Sequence, residues 1–274
     1  MLIEYSIVIP VYNRMFGLEC CLTCIFKQKF RHDKFEVIVC DDGSQDNILS
    51  IVQKFANLDF NIKYFWQPDK GFRAGQARNR GVELMDENSD AIIFMDSDII
   101  VRDNWLATYH KLHTQFPNCV ICGRYDFLLP MKLTLEDILF RFDLVVSNRV
   151  NVQYIPKGEL IGADIRQSLF ERDKRYRDNP SRRPVSGSGG ALFGGNVLIP
   201  KDAFLQAGGF DENIVGHGGE DNDLGQTIDE LGYEFIFTDE VMGWHIWHER
   251  NQEANIESLK KNIKYIDNKH KRRH

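Results

Sequence analysis

The sequence predicts a doubly wound α/β fold built on a mostly parallel β-sheet, and two observations carry this prediction. Short apolar runs that suit buried strands alternate with segments of helical apolar spacing, which is typical of a parallel sheet with crossover helices. One such run, residues 92–95, leads directly into Asp96 and Asp98. Because ligands in open α/β sheets bind outside the carboxyl ends of the strands, both carboxylates are expected at the functional edge of the sheet.

The first half of the chain contains the regular alternation. Strands are expected at residues 5–10, 35–40, 62–65, 92–95 and 119–125, where apolar and β-branched residues are concentrated. Helices are expected between them at residues 18–29, 48–55, 74–85 and 105–116. Each crossover between parallel strands should be right-handed.

The alternation stops at residue 127 and resumes at residue 191. Residues 135–148 have helical spacing, whereas the Arg-, Pro- and Gly-rich part up to residue 188 predicts a lid or a substrate-facing loop, with an insertion of no role as the alternative. Gly194 and Gly195 interrupt a strand expected at 191–200 and indicate a bulge or a close approach of a ligand. The remaining elements are a helix from Glu220 to about residue 231, strands at 235–238 and 241–247, and a basic tail helix from residue 253.

Composition excludes several classes of protein. A formal net charge of −6 argues against a nucleic-acid binder. No apolar run reaches the length that spans a membrane, and the first residues lack a signal-peptide pattern, so a cytoplasmic protein is expected. The basic tail helix has an apolar stripe, which leaves peripheral contact with anionic lipid at the inner face of the membrane open beside a plainly solvated helix.

Four of the six cysteines form two C-x-x-C pairs, Cys21 with Cys24 and Cys119 with Cys122. This spacing suggests a zinc site. The pairs fall in a predicted helix and a predicted strand, however, and buried reduced thiols are the favoured interpretation.

The two aspartates after the central strand predict a cation site. Their i, i+2 spacing points both side chains the same way if the chain stays extended. Two carboxylates held close together need a cation or a shared proton, and a hard divalent ion that also binds phosphate is the natural partner. A solvated acidic turn is the alternative for this triplet taken alone.

Several segments resemble a known family. SIVIPVYN at 6–13, DDGS at 41–44, GQARNRG at 75–81 and DSD at 96–98 are similar to family-2 inverting glycosyltransferases of GT-A fold. FGGN at 193–196, GGFD at 208–211 and GHGGEDND at 216–223 resemble the C-terminal module of β-1,4-galactosyltransferases. Bacterial chondroitin-type polymerases combine both signatures, and the chain is similar to a single module of this kind.

The resemblance implies a role for each matching residue. Asp221 would be the catalytic base, Glu220 would hold the acceptor, and Asp42 would bond the uracil. Asp98 and His248 would bind the metal. The remaining nucleotide-site residues implied are Pro10, Tyr12, Asn13, Arg14, Arg78, Asp96 and Ser97.

One metal ligand departs from the galactosyltransferase pattern. Those enzymes have Met three residues before the metal-binding His, whereas this chain has His245. Imidazole is a suitable substitute and would favour Mn²⁺ or a similar divalent cation, with Mg²⁺ as the alternative. Spacing of i, i+3 does not place His245 and His248 on one face of a straight strand, so a turn near Trp247 is required.

The resemblance therefore implies an inverting, metal-dependent transferase that moves a sugar from a UDP-sugar to a glycan or lipid-linked acceptor. Galactose and N-acetylgalactosamine are the implied donors, while glucose and N-acetylglucosamine stay open. A metal-dependent nucleotidyltransferase and a non-catalytic sugar- or nucleotide-binding module are the alternatives. The glycine-rich loop before Glu220 could close over the donor.

The implied organisation has four parts. Residues 1–126 form the nucleotide-sugar half of a GT-A domain, and residues 127–190 form an insertion or acceptor loop region. Residues 191–250 form the acceptor-binding module with the base, and residues 251–274 form the basic tail.

Overall fold

The computed structural model describes residues 3–129, 131–148, 184, 186–248 and 252–271. Most of the segment expected as a lid, residues 149–183, lies outside the described residues. The strands are β1 Tyr5–Val11, β2 Phe35–Asp41, β3 Ile62–Trp66, β4 Ala91–Met95, β5 Ile99–Val101, β6 Cys119–Phe127, β7 Asn196–Pro200 and β8 Glu234–His245. The helices are α1 Met15–Phe26, α2 Ile48–Ala56, α3 Ala74–Glu83, α4 Trp105–Gln115, α5 Leu135–Phe140, α6 Phe142–Ser147, α7 Lys201–Ala207, α8 Glu220–Glu230 and α9 Gln252–Lys271.

The strands form one eight-stranded sheet in the order β3-β2-β1-β4-β7-β6-β8-β5. β1 pairs in parallel with β2 and β4, and β2 pairs in parallel with β3, as the sequence predicts. β7 runs antiparallel to both β4 and β6, and β5 runs antiparallel to β8. The later part of the chain therefore extends the same sheet instead of forming a separate one.

Helices cover both faces of this sheet, which is what a doubly wound fold requires. One apolar cluster packs α1, α2 and α4 on one face. The other cluster packs α3, α7 and α8 on the opposite face. Because both faces are covered, β1, β2 and β4 are buried along their whole length, which explains why their sequences are nearly continuous apolar runs.

Several element predictions need correction. The strands expected at 235–238 and 241–247 are one strand, β8, whose ladder with β6 is irregular between Gly123 and Tyr125. That irregularity accommodates the polar Asp239 and Glu240 inside the strand. The helix expected at 135–148 breaks at Arg141, which has a non-helical φ of −129°. β5 was not predicted, because three residues are too few for a periodic signal.

The six cysteines are free and buried, as the favoured interpretation predicts. Cys21 Sγ lies 3.9 Å from Met95 Sδ, beneath the end of β4. These thiols act as small apolar groups in the core.

The buried side-chain amide of Asn196 connects β7 to neighbouring elements of the fold. Asn196, the last residue of the FGGN segment, is fully buried at the start of β7. Its Oδ1 accepts hydrogen bonds from Trp105 Nε1 at 3.0 Å and Tyr109 Oη at 2.9 Å. Its Nδ2 donates to the backbone oxygens of Arg124 at 3.0 Å and Val241 at 2.7 Å. One side chain thus ties α4, β6 and β8 to β7.

We expect Asn196→Ala to lower the free energy of unfolding by about 3 kcal/mol or more, because it leaves buried donors and acceptors without partners. Urea unfolding followed by circular dichroism measures this change. Asn88→Ala is the matched control, since Asn88 is exposed and bonds only locally to Asp86. An equal cost for the two variants would contradict this role for Asn196.

Candidate functional site

The Asp-Ser-Asp segment forms a tight turn between β4 and β5. Ile99 N donates to Asp96 O at 3.1 Å, so the chain does not stay extended there. As a result Asp96 and Asp98 enter different clusters, which corrects the expectation that both point the same way. Ser97 between them is buried, and Asp96 N donates to Gly195 O at 3.1 Å.

Asp98 comes together with His245, the last residue of β8, and with His248, which follows it, as the resemblance implies. His245 Nε2 lies 3.2 Å from Asp98 Oδ1, and His248 Nε2 lies 3.1 Å from Asp98 Oδ2. Their ligand atoms all lie within 4.8 Å of one another. The chain leaves β8 at His245, and this departure lets His248 return to the same carboxylate. Ile246 N donates to Asp98 O at 2.8 Å and holds the departing chain in place.

The hydrogen bonds of the two imidazoles determine what they can bind. His245 Nδ1 lies 2.8 Å from Ile246 O, and only a protonated Nδ1 can donate to that oxygen. In the neutral ring the Nε2 lone pair then faces the Asp98 carboxylate, an arrangement that needs a proton or a cation between them. Two imidazole nitrogens and a carboxylate therefore fit a divalent transition metal.

His248 has a further partner on its other nitrogen. Arg14 Nη2 lies 3.0 Å from His248 Nδ1 and can only donate, so in this arrangement the ring proton is on Nε2. A cation bound to His248 Nε2 would take the place of that proton. The neutral ring would then carry its proton on Nδ1, which could no longer accept a hydrogen bond from Arg14. Arg14 accordingly contacts the candidate metal cluster as well as the nucleotide side of the site.

Arg78 joins Asp96, the first aspartate of the turn, to the proposed base Asp221. The guanidinium is buried, and its Nη2 lies 2.8 Å from Asp96 Oδ1. Its Nη1 lies 3.4 Å from Asp221 Oδ1 and 3.6 Å from Glu220 Oε1. Asp96, expected at the nucleotide site, is thus brought together with Glu220 and Asp221, expected at the acceptor and base positions, although they are far apart in sequence. Arg78 Nε is buried without a hydrogen-bond partner among the described residues.

Glu220 carries an unfilled acceptor atom. It is the first residue of α8, and its Oε2 is buried without a hydrogen-bond partner among the described residues. Burial raises the pKa of Glu220 to about 7, and the neighbouring charge of Asp221 adds to this effect. An oxygen of this kind can bind a substrate hydroxyl group.

Gly194 and Gly195 allow the backbone to approach the carboxylates. A Cβ at Gly194 would lie 2.4 Å from Asp221 Oδ1, and a Cβ at Gly195 would lie 2.6 Å from Asp96 Oδ2. Any side chain at either position would collide with the site. The two glycines lie just before β7 and not within the strand as expected, and their backbone approaches the carboxylates of Asp221 and Asp96.

The expected nucleotide residues lie at the carboxyl ends of β1 and β2. Asn13 has a positive φ of 49°, and its Oδ1 accepts from Gln45 N at 2.7 Å. Tyr12 is exposed and donates to Asp69 Oδ2 at 2.9 Å. Pro10 is buried within β1, so it can contact a ligand only through its backbone or one edge of its ring.

Asp42 is buried, and burial raises its pKa. Its carboxylate accepts from Gln67 Nε2 at 2.6 Å and from Arg73 N at 2.8 Å. Gln67 and Arg73 were missed by the sequence analysis. Gln67 directly follows β3, so the rule that placed the aspartates at the carboxyl ends of strands could have found it.

Comparison with protein families supports the two-part resemblance. The model of glycosyl transferase family 2 matches residues 6–150. A second model, described as the N-terminal domain of galactosyltransferase, matches residues 185–264. The boundary between them falls in the segment where the predicted alternation of strands and helices stops.

Curated relatives cover most of this chain. Chondroitin synthase from Escherichia coli is 33% identical over 241 residues, which are 88% of this chain and 34% of that protein. Hyaluronan synthase from Pasteurella multocida is 31% identical over 88% of this chain and 24% of that protein. Validoxylamine A glucosyltransferase from Streptomyces hygroscopicus subsp. jinggangensis (strain 5008) is 29% identical over 97% of this chain and 60% of that protein. The match therefore spans about a third of one synthase and about a quarter of the other.

Solved structures share the fold. S. aureus TarS 1-349 in complex with UDP-GlcNAc has a TM-score of 0.63 at 17% identity, over 91% of this chain and 60% of that chain. GalNAc-T7 with UDP, GalNAc and Mn²⁺ has a TM-score of 0.63 at 18% identity, over 91% of this chain and 44% of that chain. The predicted GT-A fold is confirmed.

We expect the Asp98, His245 and His248 cluster to bind Mn²⁺. Isothermal titration with MnCl₂ should show binding to the wild-type protein that weakens at least about tenfold in His245→Ala and in His248→Ala, because each change removes one ligand. His110→Ala, at the amino end of β1 beside Tyr5, is the control. Equal binding by all four proteins would remove the two histidines from the site.

The raised pKa of Glu220 predicts how stability depends on pH. Between the ordinary pKa of 4.5 and about 7, the folded protein keeps a proton that the unfolded chain releases. The stability from this group is therefore present below the lower value and is lost as the pH rises through the upper one.

We expect Glu220→Gln to gain about 1–3 kcal/mol relative to wild type when the pH rises from about 5 to about 8. Urea unfolding at both pH values measures the difference. The exposed Glu87→Gln should show none. A gain in the opposite direction would contradict the raised pKa.

Proposed function

The chain belongs to glycosyl transferase family 2, and on that premise we propose that it is an inverting, metal-dependent transferase of a hexose or N-acetylhexosamine from a UDP-sugar to a glycan hydroxyl. The observation that carries the proposal is the contact of one buried guanidinium, Arg78, with Asp96, Glu220 and Asp221. It places the carboxylate of a candidate base beside the turn that also holds Asp98. The donor and the acceptor can therefore bind next to each other.

Asp221 acts as the general base in this proposal. Its side chain is more exposed than that of Glu220, so an acceptor hydroxyl can reach it. The hydroxyl oxygen attacks the anomeric carbon, the bond from that carbon to the diphosphate breaks, and the hydroxyl proton passes to Asp221. One displacement inverts the anomeric centre, so an α-linked donor yields a β-linked product.

Glu220 holds the acceptor. Its unpartnered Oε2 can accept a hydrogen bond from a sugar hydroxyl, and this would orient the neighbouring hydroxyl toward Asp221. Gly194 leaves room for this arrangement, because its backbone lies against the Asp221 carboxylate. Donor binding falls to Asp42, Asn13 and Tyr12 at the ends of β1 and β2.

Asp98, His245 and His248 would hold the divalent cation, for which Mn²⁺ is the proposed ion. When bound, such a cation supplies Lewis-acid stabilisation for the charge on the leaving diphosphate. The protein's own contribution is the Ile246 carbonyl, which orients His245 by accepting from its Nδ1.

Galactose or N-acetylgalactosamine is the proposed donor sugar, because the match over residues 185–264 is to a galactosyltransferase model. The proposed acceptor is a glycan or a lipid-linked sugar. Relatives whose names describe glycan synthases support this choice of acceptor class.

No helix in the described part of the chain is long and apolar enough to cross a membrane. We propose peripheral contact with an anionic membrane surface through α9, on which Lys260 and Lys261 are exposed. Co-sedimentation with anionic vesicles at low salt tests it, and failure to sediment would end it.

We expect the protein to release UDP from a UDP-sugar in the presence of Mn²⁺ and an acceptor, and Asp221→Asn to lower this turnover by about 10³-fold. Screening UDP-sugars with a coupled UDP assay measures both. Asp202→Asn, an exposed aspartate on α7, is the matched control and should keep wild-type turnover.

Asp221→Asn should still bind UDP, because the base does not contact the nucleotide. Full turnover in Asp221→Asn would show that another group is the base. UDP binding by the wild type without turnover of any UDP-sugar would favour the binding module instead.

A further inference from the structure

The C-terminal helix α9 packs against the glycine-rich loop that precedes the proposed base. Gly216, Gly218 and Gly219 have positive φ values of 86°, 86° and 98°. A Cβ at Gly216 would lie 2.3 Å from Ser258 Oγ, and a Cβ at Gly219 would lie 2.9 Å from Ile266 Cδ1. Both the backbone conformation and the closeness of α9 therefore require glycine. From the sequence alone, these glycines predict a loop that can close over the donor.

One buried amide of α9 fastens both ends of this loop. Asn262 is 3% exposed, and its Nδ2 lies 2.8 Å from Gly218 O and 3.3 Å from Val215 O. These carbonyls lie outside regular secondary structure, so the side chain supplies the donors that a helix or sheet would otherwise provide.

The last turn of α9 fastens the helix that carries the base. Lys269 Nζ lies 2.7 Å from Asp223 Oδ2 and 2.8 Å from Asp211 Oδ2. His270 is buried, with Nε2 3.0 Å from Asp223 Oδ1 and Nδ1 2.6 Å from Glu230 Oε1. Because the Asp223 side chain is almost fully buried, removal of the Lys269 charge would leave its carboxylate without that compensating charge inside the protein.

These contacts lie immediately on either side of the proposed catalytic pair. The loop ends at Gly219, next to Glu220, and Asp223 is two residues after Asp221 on α8. α9 thus constrains the chain just before and just after the two carboxylates. Within the described residues, the hydrogen bonds of Asn262, Lys269 and His270 go to the loop, to Asp211 and to α8, and not to Arg78 or the candidate metal cluster.

We infer that α9 is a positioning element of the transfer reaction, in which Asn262, Lys269 and His270 hold the loop and the first turns of α8 so that Glu220 and Asp221 face Arg78. This inference rests on the function proposed above. The three residues are positioning residues, since they act through the carboxylates and not on the substrate. A displacement of about 1 Å at reacting groups can cost about 100-fold in rate, so fastening of this kind matters to turnover.

Lys269→Met tests the inference against a matched control on the same helix. We expect it to lower kcat for transfer by about 10- to 100-fold while the KM for the donor changes less than about twofold, because β1 and β2 carry the donor pocket. Lys264→Met removes the same charge from an exposed position of α9 and should keep wild-type kcat. Lys269→Arg keeps both ion pairs and should restore most of the activity. Asn262→Ala should reproduce the loss of kcat.

Hydrogen exchange provides a readout that does not depend on turnover. In Lys269→Met and Asn262→Ala, the amides of residues 215–223 should exchange at least about tenfold faster, while those of β1 and β4 keep wild-type protection. All measurements are made well below the unfolding midpoint of each variant. Faster loop exchange in a protein that transfers no sugar would support the positioning role and reject the proposed function.

Three results would overturn the inference. One is wild-type kcat and wild-type loop exchange in both Lys269→Met and Asn262→Ala. Another is an equal loss of kcat in Lys264→Met. The third is a rise in donor KM as large as the fall in kcat, together with faster exchange throughout the sheet, which would indicate general destabilisation.

Discussion

The buried guanidinium of Arg78 is the interaction on which the site depends. It lies in α3, and it contacts Asp96 from the turn after β4 and the Glu220–Asp221 pair from the start of α8. One positive charge thus faces three carboxylates in a poorly solvated environment. Burial raises the pKa of Glu220, and the neighbouring charge of Asp221 raises it further, because the single charge of Arg78 does not balance all three carboxylates. A divalent cation held nearby by Asp98 would reduce the excess negative charge further.

Close packing makes this arrangement possible. Gly194 and Gly195 bring the backbone before β7 against Asp221 and Asp96, and Gly17 brings α1 within van der Waals reach of Asp98. A methyl group at Gly194 or Gly195 would occupy the space of a carboxylate oxygen. Asn196, the next residue, anchors β7 through four buried hydrogen bonds. The FGGN segment therefore leaves room for the carboxylates of Asp96 and Asp221, and it also stabilises the sheet.

Two parts of the chain with different family resemblances thus build one site. The half that matches glycosyl transferase family 2 contributes the nucleotide side and Asp98, and the part that matches the galactosyltransferase model contributes Glu220, Asp221 and the histidines. β7 inserts between β4 and β6, so the two parts share one sheet. The C-terminal helix completes the later part by packing on the loop in front of the base.

The sequence by itself determined the parallel core and the family, because strand periodicity and the motif residues are local properties, and it supplied the candidate residues of the site. It was wrong about the shared direction of Asp96 and Asp98, since an extended chain was assumed where a turn forms. Only the tertiary structure paired Arg78 with three carboxylates, joined Asn196 to α4, and placed α9 on the loop of Gly216–Gly219. These contacts depend on where the crossover connections bring distant segments together, and the spacing of residues along the chain does not predict that.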